Sequence, residues 1–134
     1  MFDLKIHKHF GDDYEDLKNT DQVAAAEIRV HLEELRGDQA KLGTLLDQDY
    51  GSNRSESYHV DWWWSQWRKR NRDLWRTKIW SIEHRKDKYR LIYAYIKVSR
   101  TFVFLAIAPR SFDYKEDHPI SRRVIDDYQQ LTNS

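Results

Sequence analysis

Phe2, Leu4 and Ile6 alternate with Asp3, Lys5 and His7, and this period of two predicts a short strand with one wet face. Gly11-Asp12-Asp13 is expected to end it. From Asp21 to about Leu46 the pattern changes. Val23, Ile28, Leu32 and Leu35 share a helical face beside Ala24 and Ala25, and Asn19, Thr20 or Asp21 can cap its amino end. Gly37-Asp38 is expected to interrupt the region, since Gly inside a helix costs about 1 kcal/mol relative to Ala. Leu42, Leu45 and Leu46 then lie on a second short helix or a bent continuation of the first. Asp49 to His59 is polar, with Gly51 and three serines, and reads as an exposed loop. Val60 to Trp67 fits neither period. Trp62-Trp63-Trp64 suits no single face, whereas Trp63 and Trp67 are four apart and could share a helical stripe.

The second half is more regular. Leu74–Ile82 and Tyr89–Val98 are strand-like, and Thr101–Ala108 is the most continuously apolar segment, with the length and side chains of a central strand. Glu83–Lys88 and Lys97–Arg100 suit hairpin connections. Arg110 to Pro119 reads as a polar exit loop, and Ser121 to Leu131 as a closing helix with Val124, Tyr128 and Leu131 on one side. The order predicts an α+β fold: an N-terminal strand and helices packed on one face of an antiparallel meander sheet, then a short C-terminal helix. A chain of 134 residues normally makes one domain. Residues 49–67, with the Trp-rich run, are the part left unassigned.

Composition narrows the chemistry. The chain has no cysteine, which excludes disulfides, thiol catalysis and thiolate metal sites and fits a cytoplasmic protein. No stretch approaches the length of a membrane span, and the first ten residues lack the apolar core of a secretory signal. The net charge of +1 conceals an uneven distribution. Met1 to Asp61 holds 7 Lys/Arg against 14 Asp/Glu, and Trp62 to Ser134 holds 16 against 8. Basic residues interleaved with rings mark the second half as the place for nucleic acid.

No HExxH, phosphate loop, serine elbow or dinucleotide fingerprint is present. His7 and His9 fall on one face of the predicted strand, but no third metal ligand is identifiable, so no metal or other cofactor is expected. His84 and His118 remain candidates for proton transfer. The basic set is more informative. Arg76 and Lys78 are two apart on one predicted strand, Arg90 lies on the next, and Arg110 follows Pro109 at the end of the apolar one. In an antiparallel meander these cations converge on one surface. Guanidinium groups grip phosphate oxygens in pairs and stabilise the charge that builds when a 2′-hydroxyl attacks the adjacent phosphorus. Solvated charge on the wet face of a sheet is the competing account of the same spacing.

Trp75-Arg76-Thr77-Lys78-Ile79, Tyr89-Arg90-Leu91-Ile92-Tyr93 and Val103 to Arg110, with Tyr114 beyond, resemble the core of the RelE/ParE toxin superfamily over about Leu74 to Leu131. The resemblance implies a messenger RNA-cleaving toxin that acts in the ribosomal decoding site and is silenced by a cognate antitoxin protein. Under it, Arg76 and Lys78 orient the phosphate, Arg90 contacts the scissile phosphate, Arg110 stabilises the transition state, and Tyr114 stacks on or positions the attacked nucleotide. Arg68, Lys69, Arg70, Arg72 and Lys88 are the accompanying RNA-binding candidates. Arg76 stands where the family's best-studied members carry Lys, and the Trp-rich segment has no counterpart there. The alternatives are a gyrase-poisoning toxin of the ParE branch, or a catalytically silent domain that binds nucleic acid or protein.

Overall fold

The apolar run becomes β5, Thr101–Pro109, which is buried from Thr101 to Ala108 in the computed structural model of the chain. The structure describes residues 1–109 and 111–132. β5 pairs antiparallel with β4 (Tyr89–Ile96), β4 with β3 (Leu74–Ile79), and β3 with β2 (Tyr58–Trp62). The N-terminal strand β1 (Asp3–Ile6) lies on the other side of β5 and runs parallel to it, giving the order β1-β5-β4-β3-β2. The fold is α+β as expected, but the sheet is mixed rather than wholly antiparallel. The reason is the helical crossover after β1, which returns the chain to the far edge of the sheet.

Helices cover both faces, not one. α1 (Lys8–Thr20), α2 (Gln22–Arg36) and α3 (Gln39–Thr44) pack Phe10, Leu17, Ala24, Ile28, Leu35 and Leu42 against Tyr93, Phe102 and Phe104. α4 (Pro119–Thr132) sets Val124 against the opposite face, on Ile92, Ala94, Val103 and Leu105. Strand alternation sorts the two sets. The alternation survives an irregularity: Tyr93 pairs with Phe104 but Ile92 with Ala106, so Leu105 has no partner. Such a bulge returns Ile107 to the α1 face alongside Phe104.

Gly11-Asp12-Asp13 does not end β1; it lies inside α1. Phe10, Tyr14 and Leu17 form an apolar stripe at helical spacing, and packing against β5 outweighs the modest cost of Gly11. Consequently His7 is the helix N-cap, its Nδ1 accepting from the His9 backbone N–H at 3.0 Å, and His9 is helical rather than on a strand. Asp21 caps α2, whose end at Gly37 and restart at Asp38 fall where the sequence places them. Val23, expected on the buried face, is exposed, and His31 occupies the core instead. β3 and β4 are shorter than expected because Trp80–Ile82 and Lys97–Ser99 turn as 3-10 segments. α4 begins two residues early, at Pro119.

β1 ends before β5 does, so the outer edge of β5 needs other partners. The His7 N–H donates to Phe104 O at 2.9 Å. The Ile107 N–H donates to Asp13 Oδ2 at 3.0 Å, and Arg123 of α4 holds the same carboxylate at 2.6 Å while its Nη2 also reaches Leu105 O. Asp13→Ala would orphan a strand N–H and strip a half-buried guanidinium of its carboxylate, leaving it only Leu105 O. We expect it to destabilise the protein by roughly 2 kcal/mol, read as a lower urea midpoint with unchanged slope.

His31 packs against Tyr58 with ring centroids 4.8 Å apart and planes tilted by 58°, and its Nε2 is buried without a partner among the described residues. Burial, with Lys41 adding repulsion, lowers its pKa to about 4. The unfolded chain therefore takes up a proton near pH 6.5 that the folded one refuses until about pH 4. Stability should be full above pH 6.5 and fall as pH drops through this window, by roughly 3 kcal/mol. His31→Leu should flatten that slope in pH-dependent urea denaturation; an unchanged slope would assign it to other groups.

Candidate functional site

β2 was not anticipated, and it completes the site. Its Tyr58, Val60 and Trp62 face the α2 side, while His59 and Asp61 face the other. Register sets His59 opposite Lys78 and Asp61 opposite Arg76. Leu74 on β3 and Ile92 on β4 belong to the layer under α4, so alternation brings Arg76, Lys78 and Arg90 to the same face. α4 covers β4 and β5 and leaves this corner open. His59, Asp61, Arg76, Thr77, Lys78 and Arg90 line a pocket of about 120 Å³.

The cations here are held by carboxylates. Arg76 Nη2 donates to Asp61 Oδ2 at 2.9 Å, and Gln48 Nε2 donates to the other oxygen of Asp61. Arg90 Nη1 donates to buried Glu83 at 2.9 Å and to Tyr89 O at 3.1 Å. Burial opposes the Arg76 charge, but Tyr114 and Asp61 beside it prevail and its pKa is raised. Lys78 is lowered by burial and then by Arg90, despite Glu83 nearby. Burial also lowers His59, with Lys78 adding to the effect and Asp61 and Asp49 opposing it. Thus His59 is a neutral imidazole near pH 7, beside an ammonium and two guanidinium groups.

Trp80 supports this arrangement from one side. Its ring stacks parallel to His59 at 5.9 Å and lies 4.7 Å from Lys78 Nζ, with the Arg54 guanidinium at 4.5 Å. The indole N–H is anchored on Gly51 O at 2.9 Å. Gly51 has φ +72°, and a Cβ there would stand 1.9 Å from Tyr58 O, so only glycine permits this close approach.

A second pocket of about 480 Å³ shares Asp61 and Arg76 with the first and is lined also by Trp62, Trp63, Trp64, Ser65, Asp113 and Tyr114. The three consecutive tryptophans separate because β2 ends at Trp62 and a π-helical turn follows at Ser65–Lys69. Trp62 packs against Trp67 and Trp75, Trp63 is buried against Phe112 and Tyr114, and Trp64 is 55% exposed. Tyr114 has φ +63° and presents its ring face to Arg76 at 4.8 Å. Its hydroxyl is buried without a hydrogen-bond partner among the described residues. A residue held in that conformation stores strain, which accumulates at functional sites.

The other sequence candidates scatter. Arg68 is exposed over Trp62 and Trp64, at 5.6 and 5.2 Å, beside the tryptophan pocket. Arg70 is paired in bidentate fashion with Glu116. Arg72 donates to Gln66 at 2.6 Å and, with Arg68, Trp67 and Lys97, lines a separate groove toward the end of α4. Lys69 is exposed at the end of the π-helical turn, and Lys88 immediately precedes β4. Arg110 lies outside the described residues. His84 is exposed in the β3–β4 connection, and His118 packs on Phe112 and accepts the Ile120 N–H at the start of α4. Sequence reasoning missed His59, Asp61 and Glu83. The available signal was the alternation of Tyr58, Val60 and Trp62 with His59 and Asp61, which makes a strand whose charges complement Arg-x-Lys.

Comparison with protein-family models, curated proteins and solved structures finds no match. Among the described residues no helix is long and apolar enough to cross a membrane.

The electrostatic account has a direct check. Lys78→Met removes a cation that disfavours protonated His59, so the His59 titration followed by NMR should move upward. The burial contribution remains, so His59 should still titrate below an ordinary histidine. A downward move would contradict the assigned coupling.

Proposed function

We propose that this chain is a metal-independent endoribonuclease toxin that cleaves messenger RNA on the cytoplasmic ribosome and is restrained by a cognate antitoxin. The observation that carries the reading is the convergence of His59, Arg76, Lys78 and Arg90 on one small pocket that adjoins a tryptophan-lined one. The phosphate occupies the first and a neighbouring base the second, where Trp64 offers a stacking surface with the Arg68 guanidinium beside its ring. The resemblance to the RelE/ParE superfamily supports the same assignment, and the order of strand, helices, meander and closing helix is compatible with it.

The residues divide the reaction in a balanced way. Neutral His59 takes the proton of the 2′-hydroxyl, whose oxygen bonds to phosphorus. Arg76 and Arg90 donate to the non-bridging oxygens as charge accumulates there. The bond to the 5′-oxygen breaks, and Lys78 supplies its proton. The products are a 2′,3′-cyclic phosphate and a 5′-hydroxyl. Asp61 and Glu83 keep the guanidinium groups oriented before substrate arrives. Tyr114 positions the attacked nucleotide through its contact with Arg76, and Arg110 is assigned the transition-state role that the resemblance implies. The antitoxin is expected to present carboxylates to this cluster.

One observation favours a second reading. Asp61 and Glu83 already satisfy Arg76 and Arg90, as in a charge-compensated binding surface without catalysis.

Single-turnover cleavage of programmed ribosomes and of free RNA by the purified chain separates the two. Cleavage of free RNA should persist in EDTA, and a 2′-deoxy substitution at the cut nucleotide should block it. His59→Gln should slow the reaction by about a hundredfold or more with an unchanged circular dichroism spectrum. RNA that is bound in a steeply salt-dependent manner yet left intact would establish the binding reading. Arrest of DNA synthesis before translation in producing cells would point to a gyrase-directed toxin.

A further inference from the structure

Away from the phosphate pocket, at the β1–α1 junction, His7, His9 and Asp127 bring one potential ligand atom each to within 4.8 Å of one another. We propose that these three side chains form a binding site for a divalent transition-metal ion, with Zn2+ the best match. This assignment is independent of the nuclease reading, in which no metal takes part. It also supplies the third ligand that the sequence does not reveal, because Asp127 is 118 residues from His9 and reaches it only through the packing of α4.

Several features distinguish the cluster from ordinary surface histidines. Asp127 is 2% exposed, so its carboxylate has left water and needs compensation. His9 Nδ1 stands 2.7 Å from Asp127 Oδ2, and His7 Nδ1 is 3.7 Å from the same oxygen. The two imidazoles are neighbours, with ring centroids 4.9 Å apart. Arg123, the nearby cation on α4, directs its terminal nitrogens to Asp13 and Leu105 O rather than to Asp127. The histidine side chains remain 22% and 39% exposed, which leaves an entry path and room for water as a fourth ligand.

The chemistry selects the ion. Two imidazoles and one carboxylate with an open position suit Zn2+, Co2+ or Ni2+, whereas Mg2+ and Ca2+ prefer oxygen alone. Ligand bonds of about 2.0–2.2 Å place neighbouring ligand atoms roughly 3–3.5 Å apart. The His9–Asp127 pair must open slightly, and the His7–Asp127 pair is close to that spacing already. His7 must exchange its cap bond to the His9 N–H for the metal, and the widest pair in the cluster, within 4.8 Å at present, must draw closer. An ion held here ties the N-terminal end of α1 to α4.

The test uses the full chain, stripped with chelator, and Zn2+ or Co2+ alone. Equilibrium dialysis should give one Zn2+ per chain, and Zn2+ should raise the thermal midpoint. Co2+ should develop visible absorption typical of four or five ligands including imidazole. His9→Gln, a partly exposed position where folding should persist, should weaken uptake at least tenfold, as should Asp127→Asn. His84→Gln serves as the surface control and should bind like wild type. No uptake by wild type, or equal uptake by wild type and His9→Gln, overturns the site. RNA cleavage bears only on the other pocket, so failure of either proposal leaves the other intact.

Discussion

The backbone of β5 imposes the demand that organises this molecule. Both faces of the strand are buried, and every amide along it must find a partner inside the protein. β4 pairs with one edge along its length except at the Leu105 bulge. β1 satisfies the other only as far as Phe104, and the bulge at Leu105 prevents a simple continuation. α1 and α4 close the remaining edge with side chains: Asp13 accepts from Ile107, and Arg123 binds both Asp13 and Leu105 O. The two helices must therefore meet across the strand edge although they lie at opposite ends of the chain. The nearby contact between His9 and Asp127 follows from that meeting. Edge protection and the histidine cluster thus share one structural cause.

The same economy of helices explains the polar pocket. α4 is long enough to cover β4 and β5 on its face, but not β2 and the adjoining end of β3. Under α4 the inward positions are Ile92, Ala94, Val103 and Leu105; beyond it the same alternation carries Arg76, Lys78 and Arg90. Charges so close together need carboxylates between them. Asp61 comes from the neighbouring strand and Glu83 from the connection after β3, which makes the two ion pairs a consequence of sheet geometry. Glu83 is buried, so removing Arg90 would leave an unpaired charge and damage folding as well as function. The partly exposed His59 and Lys78 are better probes of chemistry.

What was legible in the chain follows from where the governing contacts lie. β5, β4 and the Gly37-Asp38 break are encoded locally, by a continuous apolar run, by alternation and by a helix stop beside a capping aspartate. α1 was hidden because Gly11-Asp12-Asp13 has the local signature of a turn, and only Phe10, Tyr14 and Leu17 packed on the sheet make it helical. Asp13 looks like a loop residue until Ile107 and Arg123 are placed beside it. Arg76, Lys78 and Arg90 could be brought together from strand alternation alone. His59 and Asp61 required β2, whose short pattern is masked by the polar segment before it and by the tryptophans after it. Val23 fitted the apolar period of α2, yet the fold buries His31 and leaves Val23 in water.

The histidines show why composition alone could not assign their chemistry. His31, His59 and His9 are the same side chain in three different electrostatic settings. His31 is enclosed by the core near Tyr58, with no carboxylate to offset burial, so it remains neutral until about pH 4. His59 is less enclosed but stands beside Lys78, which favours a neutral ring able to accept a proton. His9 faces the buried Asp127 carboxylate, with its Nδ1 2.7 Å from Oδ2, the pair that the proposed metal ion would join. Burial disfavours charge at the first, Lys78 adds to burial at the second, and a buried carboxylate stands against the third. Each setting is built by contacts distant in sequence, so spacing alone could not show the roles that the fold makes available.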